Sequence, residues 1–225
     1  MVRRRRNIIP EMEEKQESKV VISTAPENQN HNALIVEREA IIMDAIEKFE
    51  INGKTVEIHI DTDPESPREW DNLGEILYMK RSRETLGDRG VTPEEMNEIL
   101  ARKDIVYLPV YAYVHSGVCL NTTGYSCPWD SGQSGIIFVT KERILKEYSR
   151  KIVTKKVREA VKEVLRQEVE TYSKYLGGEV YGYQILDQDG GEIDSCWGIF
   201  GLEYCRQEAT ESAKSITERE VSGNE

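Results

Sequence analysis

The sequence predicts an α+β fold: a mainly antiparallel sheet with hairpins, helices packed on one face, and one long amphipathic helix. Three observations carry this expectation. Asn52-Gly53 stands between two segments of alternating apolar and polar residues, and both residues of such a pair accept the positive φ of a tight hairpin turn. Two further apolar segments flank a second turn, Asp187-Gln188-Asp189-Gly190-Gly191-Glu192. Between them Val157, Val161, Val164, Leu165, Tyr172, Tyr175 and Leu176 recur at three-to-four spacing, the stripe of a helix lying on a sheet.

Residues 11–31 mix Glu, Gln, Lys, Asn and Ser around a short apolar interruption at Val20-Val21-Ile22, too little burial to offset ordering entropy. Residues 1–39 therefore read as a mobile arm, residues 40–208 as one domain and residues 209–225 as a polar tail. In the strand after Asn52-Gly53, Val56, Ile58 and Ile60 share one face; His59 falls on the other, wet face as an exposed strand residue. Thr92-Pro93-Glu94-Glu95 is a capping box that opens a short helix. Residues 105–114 form an almost wholly apolar, central strand in which Pro109 removes one ladder donor and implies a bulge or a local edge. Residues 135–139 are a buried strand, and Thr140 caps the helix after it. The long helix starts after Thr154 and ends at Gly177-Gly178; strands at 179–186 and 193–200 and a last helix from Leu202 complete the domain.

With 41 acidic and 30 basic residues the formal net charge is −11, which argues against a nucleic-acid partner except through the Arg3-Arg4-Arg5-Arg6 run. Interspersed cations such as Lys80, Arg81 and Arg83 argue equally against mimicry of nucleic acid by an acidic face. No apolar run reaches the roughly 18 residues of a membrane span, so no membrane partner is expected. Cys119, Cys127, Cys196 and Cys205 form no C-x-x-C pair and read as free, buried thiols of a reducing cytoplasm.

Two segments concentrate chemistry at strand ends, residues 61–74 and residues 115–135. An enzyme reading takes His115 as base, Cys127 or Ser131 as nucleophile and Asp130 as the orienting carboxylate, although Ser131 lacks the Gly-x-Ser-x-Gly frame of a nucleophile elbow. A metal reading pairs Asp61 and Asp63, hard oxygen ligands suited to Mg²⁺ or Mn²⁺; otherwise no cofactor is indicated. Trp70, Asp71, Asn72, Trp129 and Gln133 are the candidate binding residues. Trp70, Trp129 and Trp197, with Tyr107, Tyr111 and Tyr113 on alternate positions of one strand, either form a platform for a base or peptide or fill the space between sheet and helices; the absence of interleaved cations favours filling.

Five blocks extend over residues 56–204: PREWDNLG at 67–74, LPVYAYVHSG at 108–117, SCPWDSGQSG at 126–135, the long-helix stretch at 155–183 and EIDSCWGIFGLEY at 192–204. In this they resemble a family of uncharacterised proteins of tailed bacteriophages and related mobile elements. Relatives tend to carry an acid just before the His-Ser-Gly, where this chain has Val114, which removes one group that would orient His115. The resemblance implies a genomic setting rather than a mechanism: an accessory protein in the host cytoplasm that binds a host or phage component, for host takeover or against a defence. The competing class is a small hydrolase or nucleotide-processing enzyme using His115 with Asp130, or a divalent metal on Asp61 and Asp63.

Overall fold

In the computed structural model, residues 44–80 and 85–222 are described, with side chains as far as residue 216. The chain divides after Ile41, and everything below concerns the unit that follows. The expected arm at residues 1–39, with Arg3 to Arg6, lies outside the described residues, as do Arg81 and Arg83.

The elements alternate as expected for α+β, but they build two sheets rather than one. Strands β1 (Glu47–Ile51) and β2 (Lys54–Ile60) are joined by Asn52 and Gly53 at φ 50° and 77°. Together with β8 (Val180–Leu186) and β9 (Glu192–Phe200) they form an all-antiparallel sheet in the order β1-β2-β8-β9. The other five strands are β3 (Glu75–Met79), β4 (Arg89–Val91), β5 (Ile105–Val114), β6 (Val118–Asn121) and β7 (Ser131–Thr140), ordered β4-β3-β7-β5-β6. Among the described strands only the β3–β4 pair is parallel. The bulge that Pro109 foretold falls between Val110 and Tyr111. Residues 115–135 are correspondingly less of a loop than expected, since β6 and the first half of β7 lie within them.

Each sheet has its own helices. On the five-stranded sheet α3 (Lys155–Leu176) buries Val161, Leu165, Val169 and Tyr172 against Ile76, Val106, Val110, Ala112, Ile137 and Val139, with Ile144 of α2 (Lys141–Glu147) beside them. A shorter helix, α1 (Pro93–Leu100), sits on the opposite face through Met96, so helices cover both faces and not one. The capping box at Thr92 is formed in full. On the four-stranded sheet α4 (Leu202–Ser222) buries Cys205, Ala209 and Ala213 against Val56, Ile58, Tyr183 and Ile185. The ordered body thus continues past Glu208, because small residues at four-residue spacing let this helix approach the sheet closely. Arg206 holds Glu47 of β1 at 2.6 and 2.9 Å, and Ser212 donates to Asp194 of β9 at 2.6 Å.

On the outer face of this sheet His59 is 9% exposed, not the wet strand residue expected. Its ring lies 6.1 Å from that of Trp197, which fills the space left by Gly182; a Cβ there would stand 2.2 Å from the indole. Alternation placed His59 on the correct face but could not show that a tryptophan from β9 covers it.

Candidate functional site

Strand β5 turns Val106, Leu108, Val110 and Ala112 toward α3, so Tyr107, Tyr111 and Tyr113 lie on the opposite face. Helix α1 closes only the Ile105 end of that face, where Met96, Ile99 and Leu100 meet Leu77, Ile136 and Phe138. No described helix packs over the rest, and the loop at Gly124 and Tyr125 rests only beside Tyr111 and Tyr113. Tyr107 is 44% exposed, Tyr111 and Tyr113 are half-buried, and Cys119 and Gln133 beside them are exposed. The tyrosines therefore do not fill a sheet–helix gap; they pave an open strip that runs roughly 26 Å from Tyr107 to His115 at ~3.3 Å per residue.

The far end of the strip is locally built. Asn121 accepts from the amides of Thr123 and Gly124 at 3.1 and 2.7 Å and donates back to the Gly124 carbonyl at 3.1 Å, closing a turn with Gly124 at φ 90°. That turn delivers Tyr125, whose ring centroid is 5.7 Å from Tyr113, which in turn lies 6.4 Å from His115. Burial, with Cys119 adding, pushes the Tyr125 phenol above its usual range. The Val114 amide donates to the Asp130 carbonyl at 2.9 Å and pins the next loop to the end of β5. Trp129 projects from that loop at 92% exposure.

His115, Cys127, Asp130 and Ser131 do converge here. Asp130 Oδ2 is 3.8 Å from His115 Nδ1 and 3.8 Å from Cys127 Sγ, so the carboxylate stands between thiol and imidazole. A nucleophilic triad needs the imidazole in the middle, to take the proton of the nucleophile. Ser131 is turned away as well, since its hydroxyl donates to the Cys127 carbonyl. The His115 and Asp130 side chains are 68% and 40% exposed, where water screens their attraction.

The other predicted residues lie elsewhere. Trp70 packs edge-on against Phe200 at 5.5 Å and 89°; Asp71 pairs with Arg143 at 2.6 Å; the Asn72 amide donates to the carbonyls of Pro67 and Trp70 at 2.8 and 3.0 Å. These three flank Leu73, which packs into the α3-side core, and so do not share a surface with Trp129 and Gln133. Asp61 accepts from the Asp63 amide at 3.1 Å and, through its second oxygen, from the Gly198 amide at 3.0 Å. Both its oxygens serve backbone, and among the described residues no group of three His, Cys, Asp or Glu side chains is placed to hold a metal ion. Of the thiols only Cys205 is buried, with its pKa pushed up to about 11 by desolvation; Cys119 and Cys196 are exposed, contrary to the expectation of buried small hydrophobes.

Compared with protein-family models, curated proteins and solved structures, the chain gives no match. No described helix is long and apolar enough to cross a membrane.

The residues the sequence reading missed explain the 67–74 block. Ser66 caps the short turn Pro67–Glu69, which points Arg68 inward. There Arg68 forks onto Asp88 at 2.9 and 2.7 Å, reaches Glu168 of α3 at 3.3 Å and donates to the Gly74 carbonyl at 2.7 Å. Glu168 accepts from the Leu73 and Gly74 amides at 2.7 and 3.1 Å, and Asp88 from the Ile76 amide at 2.6 Å. Burial disfavours the Arg68 charge, but the hydrogen bonds and charges of Asp88 and Glu168 outweigh it and hold the guanidinium above its ordinary range. One signal was available: Glu168 lies three residues after Leu165 and four before Tyr172, an acid within the apolar stripe of the long helix.

Proposed function

We propose that this chain is a binding protein that captures a protein partner on the open face of its five-stranded sheet. The observation that supports this reading is the uncovered aromatic strip of Tyr107, Tyr111, Tyr113, Tyr125 and His115, with Trp129 at its end. Amphipathic rings bury large contact area at low entropic cost, and exposed Trp and Tyr are the residues that most often dominate interface energetics. In the phage or mobile-element setting that the sequence blocks suggest, the partner is a host or phage protein, and its capture serves host takeover or blocks a defence.

A second reading, a hydrolase or nucleotide-processing enzyme, draws on the convergence of His115, Cys127 and Asp130. It requires the imidazole to exchange places with the carboxylate before the thiol can be activated. One experiment separates the two. Tagged wild-type chain, the Tyr113→Ala/Trp129→Ala variant and the His115→Ala/Asp130→Ala variant are each used to recover partners from infected host cells, with quantitative mass spectrometry. The binding reading expects a stoichiometric partner whose affinity falls about 30-fold in the aromatic variant, equivalent to ~2 kcal/mol at a hot spot. Equal recovery by the aromatic variant defeats it. A partner chemically altered by wild type and left intact, though still recovered, by the His115→Ala/Asp130→Ala variant establishes the enzyme.

A further inference from the structure

The residues joining α2 to α3 enclose a groove of about 480 Å³ lined by Tyr148, Arg150, Lys151, Ile152, Lys156 and Val157. Its charge is opposite to that of the chain. Residues 146–158 carry six cations, Lys146, Arg150, Lys151, Lys155, Lys156 and Arg158, against one acid, Glu147, in a protein of net charge −11. The cations are also unspent. Arg68, Arg89, Arg102, Arg143, Arg166 and Arg206 each pair with a carboxylate, whereas among the described residues neither Arg150 nor Arg158 does, nor Lys151, Lys155 or Lys156. Arg150, Lys151 and Lys156 thus set like charges around one concavity, a repulsion that an anionic occupant relieves. The floor is apolar: Ile152 is 69% exposed, with Val157 and Tyr148 beside it.

We infer that this groove docks a short acidic peptide segment of a partner protein, its carboxylates on the cationic rim and its apolar side chains on Ile152, Val157 and Tyr148. A mixed rim and floor suits a chain that alternates acidic and apolar side chains. A nucleic-acid strand fits less well, because its phosphates continue past the patch onto an acidic body. Screening over about 8 Å at physiological ionic strength confines the attraction to the groove itself. The inference uses none of the residues of the aromatic strip, so either surface can fail without the other.

The probe is a fluorescein-labelled decapeptide alternating Glu and Leu, titrated with the full chain and followed by fluorescence anisotropy; labelled decathymidine is the comparison. The peptide is expected to bind, and to bind at least about tenfold more weakly both at raised salt and to the Lys151→Glu/Lys156→Glu variant, ~1.4 kcal/mol or more. Ile152→Asp is expected to weaken it by a similar factor, and Tyr113→Ala/Trp129→Ala to leave it unchanged. All these positions except Tyr113 are exposed, and melting curves confirm that each variant is folded; should the charge reversal unfold, Lys151→Gln/Lys156→Gln replaces it. Absence of peptide binding, equal binding by the charge variant, or tighter binding of decathymidine overturns the inference.

Discussion

Arg68 and His115 each stand beside carboxylates at the edge of the same five-stranded sheet, yet their surroundings are opposite. The Arg68 side chain is 9% exposed and that of Glu168 12%, and both acids around Arg68 also accept backbone amides. The His115 side chain is 68% exposed and its carboxylate meets a thiol and an imidazole only at 3.8 Å. The first cluster ties residues 67–74, residue 88 and α3 into one body. The second leaves polar and aromatic groups facing water at the end of a strip that no described helix covers. A block of Trp, Pro, Asp and Gly is therefore no guide to function by itself: PREWDNLG is a structural clamp, and SCPWDSG supplies an exposed surface.

The contrast can be broken most severely at Arg68. Arg68→Met leaves Glu168, 12% exposed, and the more open Asp88 without their cation, and a loss of about 3 kcal/mol is expected in urea unfolding. Neutralising the partners as well, in Arg68→Met/Asp88→Asn/Glu168→Gln, should restore part of it. A loss below about 1 kcal/mol for Arg68→Met would mean that the cluster is solvated and the distinction false.

A second comparison uses glycine. A Cβ on Gly74 would lie 2.4 Å from Leu165 Cδ2 and 2.8 Å from Ile137 Cγ1, whereas one on Gly132 meets nothing within 4 Å. Gly74→Ala is expected to cost about 1–3 kcal/mol by overpacking. Gly132→Ala should stay within about 0.5 kcal/mol, as at most surface sites. Equal costs in thermal melting would show that the exposed end is packed after all.

The smallest effect belongs to the exposed cluster. His115→Ala/Asp130→Ala removes a pair whose members are largely hydrated, and less than about 1 kcal/mol should be lost. A larger loss would make the loop at residues 122–130 a structural turn like the clamp.

Much of the architecture was legible one element at a time. Asn52-Gly53, the Thr92 capping box, Pro109 and the Gly177-Gly178 stop encode local backbone geometry, and each acts where expected. Within the 115–135 segment His115, Asp130 and Cys127 lie side by side. The order of the groups was not legible, because whether a carboxylate or an imidazole takes the middle depends on where a loop folds back onto a strand end. Composition alone points Trp70, Asp71 and Asn72 to binding, and it does not show their contacts with Phe200, Arg143 and the Pro67 carbonyl, two of them far away in the chain.

By itself, then, the sequence determined the α+β class, the two hairpins, the helix caps and which residues share a strand face, because φ preferences, capping and side-chain periodicity act over a few neighbours. Only the tertiary structure decided that the strands divide into two sheets, that α4 belongs to the core, that His59 lies beneath Trp197, and that α1 is too short to cover the tyrosines of β5. These outcomes turn on pairing and packing between residues tens of positions apart, which no local signal carries.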